Sequence, residues 1–194
     1  MGYPIREETV GAYYHVGTRG NNKRAIYLTD ITRHIFLLML DRLSRRHDWR
    51  VIAYCLMGNH YHLVLQLGER GMHRGMQQLN GGYARWFNEK ERRRDHLFGR
   101  RYWSRELLDE HDLVETSLYI DANPMRSFGI EPELWPWSSY RAAAGLEAPQ
   151  RFHRVGDLWS IVDSDPRRAM DGYASEMTPL KGTWPVSDTG TTRR

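Results

Sequence analysis

The spacing of apolar residues changes period several times along the chain. Residues 13–18 (YYHVGT) are β-rich and short, and a polar loop, 19–24 (RGNNKR), follows. From Asp30 to His47 the period is helical: Ile31, Ile35, Met39 and Leu43 recur at steps of four, with Phe36 and Leu40 alongside. Thr29-Asp30 supplies the cap. Two β-rich runs come next, 50–57 (RVIAYCLM) and 60–67 (HYHLVLQL), separated by Gly58-Asn59. Two residues of that type between such runs are a strong hairpin signal. A two-residue turn sets Met57 opposite His60, Cys55 opposite His62 and Ala53 opposite Val64. One face then carries Ile52, Tyr54, Leu56, Tyr61, Leu63 and Leu65, an apolar surface that helices must cover. The other face carries His60 and His62 among small or soft residues.

Met72, Met76, Leu79, Tyr83 and Trp86 predict a second amphipathic helix. Gly75, Gly81 and Gly82 lie inside it, each at a cost of about 1 kcal/mol. Residues 89–95 (EKERRRD) read as a solvated loop and 100–108 (RRYWSRELL) as a strand. Asp109-x-x-Asp112 resembles a capping pattern and opens a helix to about Ala122, where Asn123-Pro124 ends or kinks it. The order is β-α-β-β-α-β followed by a helix. It predicts an α+β fold, a ferredoxin-like antiparallel sheet with two helices on one face. The added helix is expected on the other face, over the two histidines. There is no internal repeat and no long low-complexity run.

A chain of 194 residues buries a core without disulfides or a structural metal. No apolar run approaches the ~20 residues of a membrane span. The opening MGYPIREETVGAYYHV has no apolar segment of the secretory type. A single cysteine, Cys55, excludes a disulfide framework and fits a reducing cytoplasm. Charge is uneven. Residues 1–105 hold 19 Lys+Arg against 9 Asp+Glu, and residues 106–194 hold 9 against 15. Of the 28 basic residues only Lys23, Lys90 and Lys181 are lysines. Arginine forks grip phosphates and stack on bases, so a nucleic-acid partner fits this bias. A genome rich in G and C explains it equally well.

His60-Tyr61-His62 puts two imidazoles on one strand face, able to share a metal ion. Alternating histidines also occur without any ligand. Glu115, Tyr119 and Asn123 share one face of the last predicted helix. A tyrosine there is usually a half-buried packing residue. If that helix covers the histidine face, Tyr119 and Asn123 point at the pair. A phenol beside a metal-bound phosphate is then a candidate nucleophile, and the Asn oxygen a candidate ligand. Two imidazoles with carbonyl and water oxygens suit Mn²⁺ or Mg²⁺. Cys55, opposite His62, offers a zinc alternative. A non-catalytic nucleic-acid-binding module on the same sheet plan is the other competing reading.

The motifs resemble a known family when taken together. Tyr14-His15-Val16 with Arg19-Gly20-Asn21, Met57-Gly58-Asn59-His60-Tyr61-His62-Leu63, Tyr119-Ile120-Asp121-Ala122-Asn123-Pro124-Met125-Arg126, and Trp135-Pro136-Trp137-Ser138-Ser139-Tyr140 stand in order. They look like the single-tyrosine HUH transposases of the insertion-sequence-200-like family, in the branch called REP-associated tyrosine transposases. The resemblance spans about 13–145, which implies a transposase domain over 1–145. A C-terminal extension, 146–194, is matched more weakly through Leu158-Trp159 and Tyr173.

The resemblance implies a metal-dependent endonuclease and strand transferase acting on single-stranded DNA with hairpins through a 5′-phosphotyrosine. It implies a cytoplasmic, nucleoid-associated protein, monomeric or homodimeric. On that pattern His60 and His62 are metal ligands, Asn123 is the third ligand and Tyr119 the nucleophile. The family usually has Pro where Gly58 stands. Asp121 stands where His or Tyr is common, and solvent is its expected environment.

Candidate DNA contacts are His15, Arg19, Lys23, Arg24, Arg100 and Arg101. For His15 a core or phosphate-contacting place is expected ahead of one facing the site. Arg92-Arg93-Arg94 reads as an exposed turn, and Trp135, Trp137 and Tyr140 as packing residues rather than base-stacking ones.

Overall fold

A computed structural model describes residues 8–183 of the chain. The opening 1–7 and the last part of the C-terminal extension, 184–194, lie outside the described residues. Strands β1 (Tyr13–Arg19), β2 (Arg50–Leu56), β3 (His60–Gln66) and β4 (Trp103–Leu107) form one antiparallel sheet in the order β2-β3-β1-β4. Helices α1 (Asp30–His47) and α2 (His73–Lys90) connect them, and α3 (Glu110–Asp121) follows. This is the ferredoxin-like α+β plan that the period changes predict. Further on lie α4 (Asn123–Phe128), α5 (Tyr140–Ala143), α6 (Val155–Val162) and α7 (Pro166–Thr183).

The sheet is covered on both faces. Tyr54, Leu56, Tyr61, Leu63 and Leu65 meet Phe36 and Leu40 of α1 and Met76, Leu79, Tyr83 and Phe87 of α2. On the other side Ala53, Cys55 and Val64 meet Leu113, Leu118 and Ile120 of α3, joined by Tyr140, Leu158, Tyr173 and Met177. The hairpin has the expected register, Cys55 opposite His62 and Ala53 opposite Val64. Below it the register shifts between Val51 and Ala53. The extra residue reverses the alternation from that point. Val51 therefore packs with Tyr54, and Ile52 lies in the opposite cluster, not beside Tyr54 as the uninterrupted period predicts. The C-terminal extension pairs with the edge at this bulge. His153 Nε2 bonds Ile52 O at 2.9 Å, and the Arg154 N–H donates to Val51 O at 2.8 Å.

Two helices depart in detail from their sequence pattern. In α1 the buried face is Thr32, Phe36, Leu37, Leu40, Leu43 and Ser44, while Ile31 is 64% exposed. Steps of four overshoot a 3.6-residue turn, so a row of i, i+4 residues drifts off the buried face. Thr29 caps this helix, its N–H donating to Thr32 Oγ1 at 3.2 Å. In α2 Gly75 lies against the Trp49 indole, where any Cβ would overlap the ring. The helix continues to Lys90, into the segment read as loop, and β4 is shorter than the strand predicted over 100–108.

Asp109 opens α3 as expected, its carboxylate accepting from the Asp112 N–H at 2.8 Å. At the other end Asp121 is fully buried, against the expectation of solvent. It accepts from Ser139 Oγ at 2.8 Å and from Tyr173 OH at 2.9 Å, which ties α3 to α7. Burial pushes its carboxyl up to about 7, and those two hydrogen bonds oppose the rise. Tyr173→Phe removes a donor from a buried carboxylate. It is expected to lower the unfolding free energy by about 1–3 kcal/mol, read as a lower urea midpoint with an unchanged far-UV spectrum.

Candidate active site

Period 2 sets His60 and His62 of β3, His15, Gly17 and Arg19 of β1, and Trp103 and Arg105 of β4 on the face that α3 covers. Rows run across the strands. Cys55, His62, Gly17 and Trp103 form one, and Ala53, Val64, His15 and Arg105 the next, while Arg19 lies opposite His60. Across this face α3 brings Tyr119, with ring centroids 6.2 Å from His62 and 6.1 Å from His15. Residues His15, Arg19, His60, His62, Trp103 and Tyr119 share a cavity of about 1170 Å³.

Both histidines of the pair are held by their neighbours. His60 Nδ1 lies 2.7 Å from Asn59 Oδ1, and His62 Nδ1 lies 3.0 Å from His15 Nε2. With Nδ1 engaged on each ring, a cation would be bound through Nε2 of both. Burial pushes the His62 imidazole well below its ordinary range, and His15 and His60 beside it push the same way. Burial, with the Arg105 charge behind it, takes His15 down to about 3. His62 and His15 are therefore neutral at pH 7, the form in which imidazole ligates metals. His15 faces the site and steadies His62. It is as buried as His60 and His62 and lines the same cavity.

Tyr119 is half-buried, and the Arg126 guanidinium lies 4.4 Å from its ring centroid. Asn123, one turn further on, is buried and is not among the residues lining the cavity. Its Nδ2 donates to the carbonyls of Tyr119 and Ile120 at 3.0 and 3.1 Å. With the nitrogen so used, Oδ1 is the only Asn123 side-chain atom that could serve a cation, and the described cavity wall does not include this residue. Among the described residues no three His, Cys, Asp or Glu side chains are grouped as metal ligands. A cation at His60 and His62 therefore needs neutral or substrate oxygens to complete its shell, a set that suits Mn²⁺ or Mg²⁺. Cys55 sits in the apolar cluster, 3.5 Å from Met57 Sδ, and burial pushes its thiol well up. Among the described residues Cys55 is not grouped with His60 and His62 as a metal-holding set and does not line their cavity, so the Cys55–His60–His62 zinc alternative has no geometric support.

Of the basic side chains proposed from sequence, Arg19 lines the cavity. Lys23 and Arg24 are exposed on the loop after β1, and Arg24 pairs with Asp95 at 3.3 Å. Arg100 and Arg101 are exposed just before β4 and do not line the cavity. Trp137 and Tyr140 are buried, and Arg33 lies 5.6 and 5.5 Å from the Trp135 and Trp137 rings, so these aromatics pack. Sequence reasoning missed Trp103, Arg105 and Arg126. Arg105 grips Asp112 at 2.7 and 2.9 Å and Thr116 at 2.9 Å, which clamps β4 to the first turns of α3. The spacing of Arg126 from Tyr119, seven residues or two helical turns, was the signal available for it.

Comparison with known proteins bears on this arrangement. The family described as "Transposase IS200 like" matches residues 8–123, which include both histidines, Tyr119 and Asn123. The chain belongs to the IS200-like transposases. A curated Haemophilus influenzae protein described as a REP-associated tyrosine transposase is 24% identical over 147 residues, covering 70% of this chain and 83% of that protein. A solved structure of a REP-associated tyrosine transposase bound to a REP hairpin superposes with a TM-score of 0.62 at 16% identity, covering 100% of this chain and 98% of the other. The fold of this transposase is thus that of the REP-associated branch. Among the described residues no helix is long and apolar enough to cross a membrane.

The buried imidazoles give this transposase a definite response to acid. His15 at about 3, His153 at about 4 and the depressed His62 bind no proton in the native state where the unfolded chain, near 6.5, does. Stability therefore falls as pH drops from about 6.5 towards 4. Asp121, raised to about 7, acts in the opposite sense between about 4 and 7 and reduces the net slope. Urea midpoints at pH 7.5 and 5.0 should show the lower value at pH 5.0. The difference should shrink in His153→Gln, a change away from the cavity.

Proposed function

We propose that this transposase is a divalent-cation-dependent nickase and strand transferase for single-stranded DNA beside hairpins, with Tyr119 as its nucleophile. The observation that carries this reading is that Tyr119 meets His62 edge-on, at 6.2 Å between ring centroids, in a cavity it shares with the oriented pair His60 and His62. His60 and His62 bind the cation, Mn²⁺ or Mg²⁺, through Nε2, and Asn123 offers its amide oxygen as the third protein ligand. When bound, the cation polarises a non-bridging phosphate oxygen and offsets the charge that develops there.

The chain's own residues do the rest. Arg126 orients the Tyr119 ring. Arg19, beside His60 on β1, offers a guanidinium to the backbone phosphate. The Tyr119 oxygen attacks phosphorus, the P–O3′ bond breaks, and the 5′-phosphate stays on the tyrosine. The phenolic proton passes to solvent, and the departing 3′ oxygen takes one up. The phosphotyrosine conserves the energy of the broken diester, so a second 3′-OH can reverse the step without ATP.

A hairpin substrate is supported by the related transposase solved with a REP hairpin. The basic excess of residues 1–105 supports a nucleic-acid partner. A purely binding role would have no use for an oriented histidine pair under a tyrosine.

Single-stranded oligonucleotides copied from the DNA flanking the gene, incubated with Mn²⁺ and run on denaturing gels, test this. Tyr119→Phe should bind the hairpin and the metal as wild type does, yet give neither cleavage nor a protein–DNA adduct. A nick by Tyr119→Phe would identify water as the nucleophile and overturn the transferase reading. His60→Ala and His62→Ala should each lose cleavage and Mn²⁺ binding, measured by calorimetry, with the fold retained. Asn123→Ala should need more Mn²⁺ for the same rate, and Asn123→Asp should need less than Asn123→Ala.

A further inference from the structure

Trp103 occupies an unusual position on the cavity wall. It lies on edge strand β4, directly across from Gly17 of β1, and Gly17 is in turn directly across from His62 of β3. A Cβ at Gly17 would stand 2.7 and 2.9 Å from Trp103 Cζ2 and Cε2 and 2.9 Å from Tyr61 O. The indole therefore lies over the β1 backbone in space that any side chain at position 17 would take. His15 fixes it edge-on, with centroids 4.6 Å apart and planes at 80°, and its centroid is 5.8 Å from that of His62. Yet Trp103 remains 41% exposed and lines the cavity shared by His60, His62 and Tyr119. A large apolar ring is thus oriented by His15 and the β1 backbone, beside His62, without being covered.

We infer that Trp103 is a base-stacking platform for the strand to be cut, taking one nucleobase next to the phosphate held at His60 and His62. This rests on the strand-cleavage reading above and names how the single strand is placed. An unpaired base offers a π-face to any aromatic ring, and such stacking is worth about 1–3 kcal/mol per base. A duplex cannot use the platform, because its bases are already stacked and paired. Trp103 therefore selects single-stranded DNA at the point of cleavage, independently of any hairpin contact elsewhere. The alternative is that the indole is only a wall that shields the histidines.

Abasic scanning separates the two. Fluorescence anisotropy would measure binding of a hairpin-bearing oligonucleotide, intact or with an abasic nucleotide at each successive single-stranded position. The protein would be the full chain carrying Tyr119→Phe, so that the strand stays whole, with Trp, Phe or Ala at position 103. With Trp103 one abasic position should weaken binding roughly 5- to 100-fold. In Trp103→Ala the intact strand should bind that much more weakly, and the same abasic position should then cost less than about twofold, the stacking partner being gone already. Trp103→Phe should recover most of the loss, with all three proteins melting at similar temperatures. A flat abasic scan with Trp103, or a Trp103→Ala loss equal for intact and abasic strands, overturns the platform and leaves the cleavage reading standing. Failure of the Trp103 protein to bind single-stranded DNA at all overturns both.

Discussion

The burial of both faces of one four-stranded sheet is the constraint on which the rest of the molecule depends. In β2 and β3 nearly every residue is buried, whichever way it points. A strand sends alternate side chains to opposite faces, so covering only one side would leave Ala53, Cys55 and Val64 in water. Leu113, Leu118 and Ile120 of α3 close that second side. The same packing turns His60 and His62 from surface residues into buried ones and carries Tyr119 over them. Apolar packing thus sets the geometry of the polar site.

Burial also sets the charge state of that site. Two hydrogen-bonded imidazoles, His15 and His62, are neutral because a proton on either would be desolvated, and because Arg105 and the neighbouring histidines oppose it. The cations around the cavity are held in place by other means, Arg105 by Asp112 and Thr116, and Arg126 by the Tyr119 ring. The cavity joins two differently charged parts of the chain. Its sheet wall, with Arg19, comes from the basic first half. Its helical wall, with Glu110, Glu115 and Glu176, comes from the acidic second half.

The C-terminal elements belong to the same physical unit as the site helix. Tyr173 of α7 and Ser139 hold the buried Asp121, two residues from Tyr119. His153 and Arg154 satisfy the backbone at the β2 bulge, and Trp159 Nε1 donates to Ala143 O at 2.9 Å. The sheet edge at β2, which unpaired would invite another strand, is covered by these segments and by Trp137–Ser139.

Local signals carried much of this in the amino-acid order alone. Gly58-Asn59 set the hairpin register, and with it the shared face of His60 and His62. Asp109 and Pro124 marked the two ends of the site helix, and the spacing of Tyr119 and Asn123 placed both on one side of it. Each depends on residues close together in sequence, where turn chemistry and helical period suffice. Other features needed the assembled chain. The bulge at Ile52 arises where β2 meets residues 153–154, a hundred positions away. Asp121 looked like a surface carboxylate because Ser139 and Tyr173 reach it only through tertiary packing. His15 and Trp103 became part of the site when β1 took its place between β3 and β4, and Gly17 mattered only once the indole lay across it. Strand order and close approach are decided by which surfaces can be buried together, and that is a property of the whole fold.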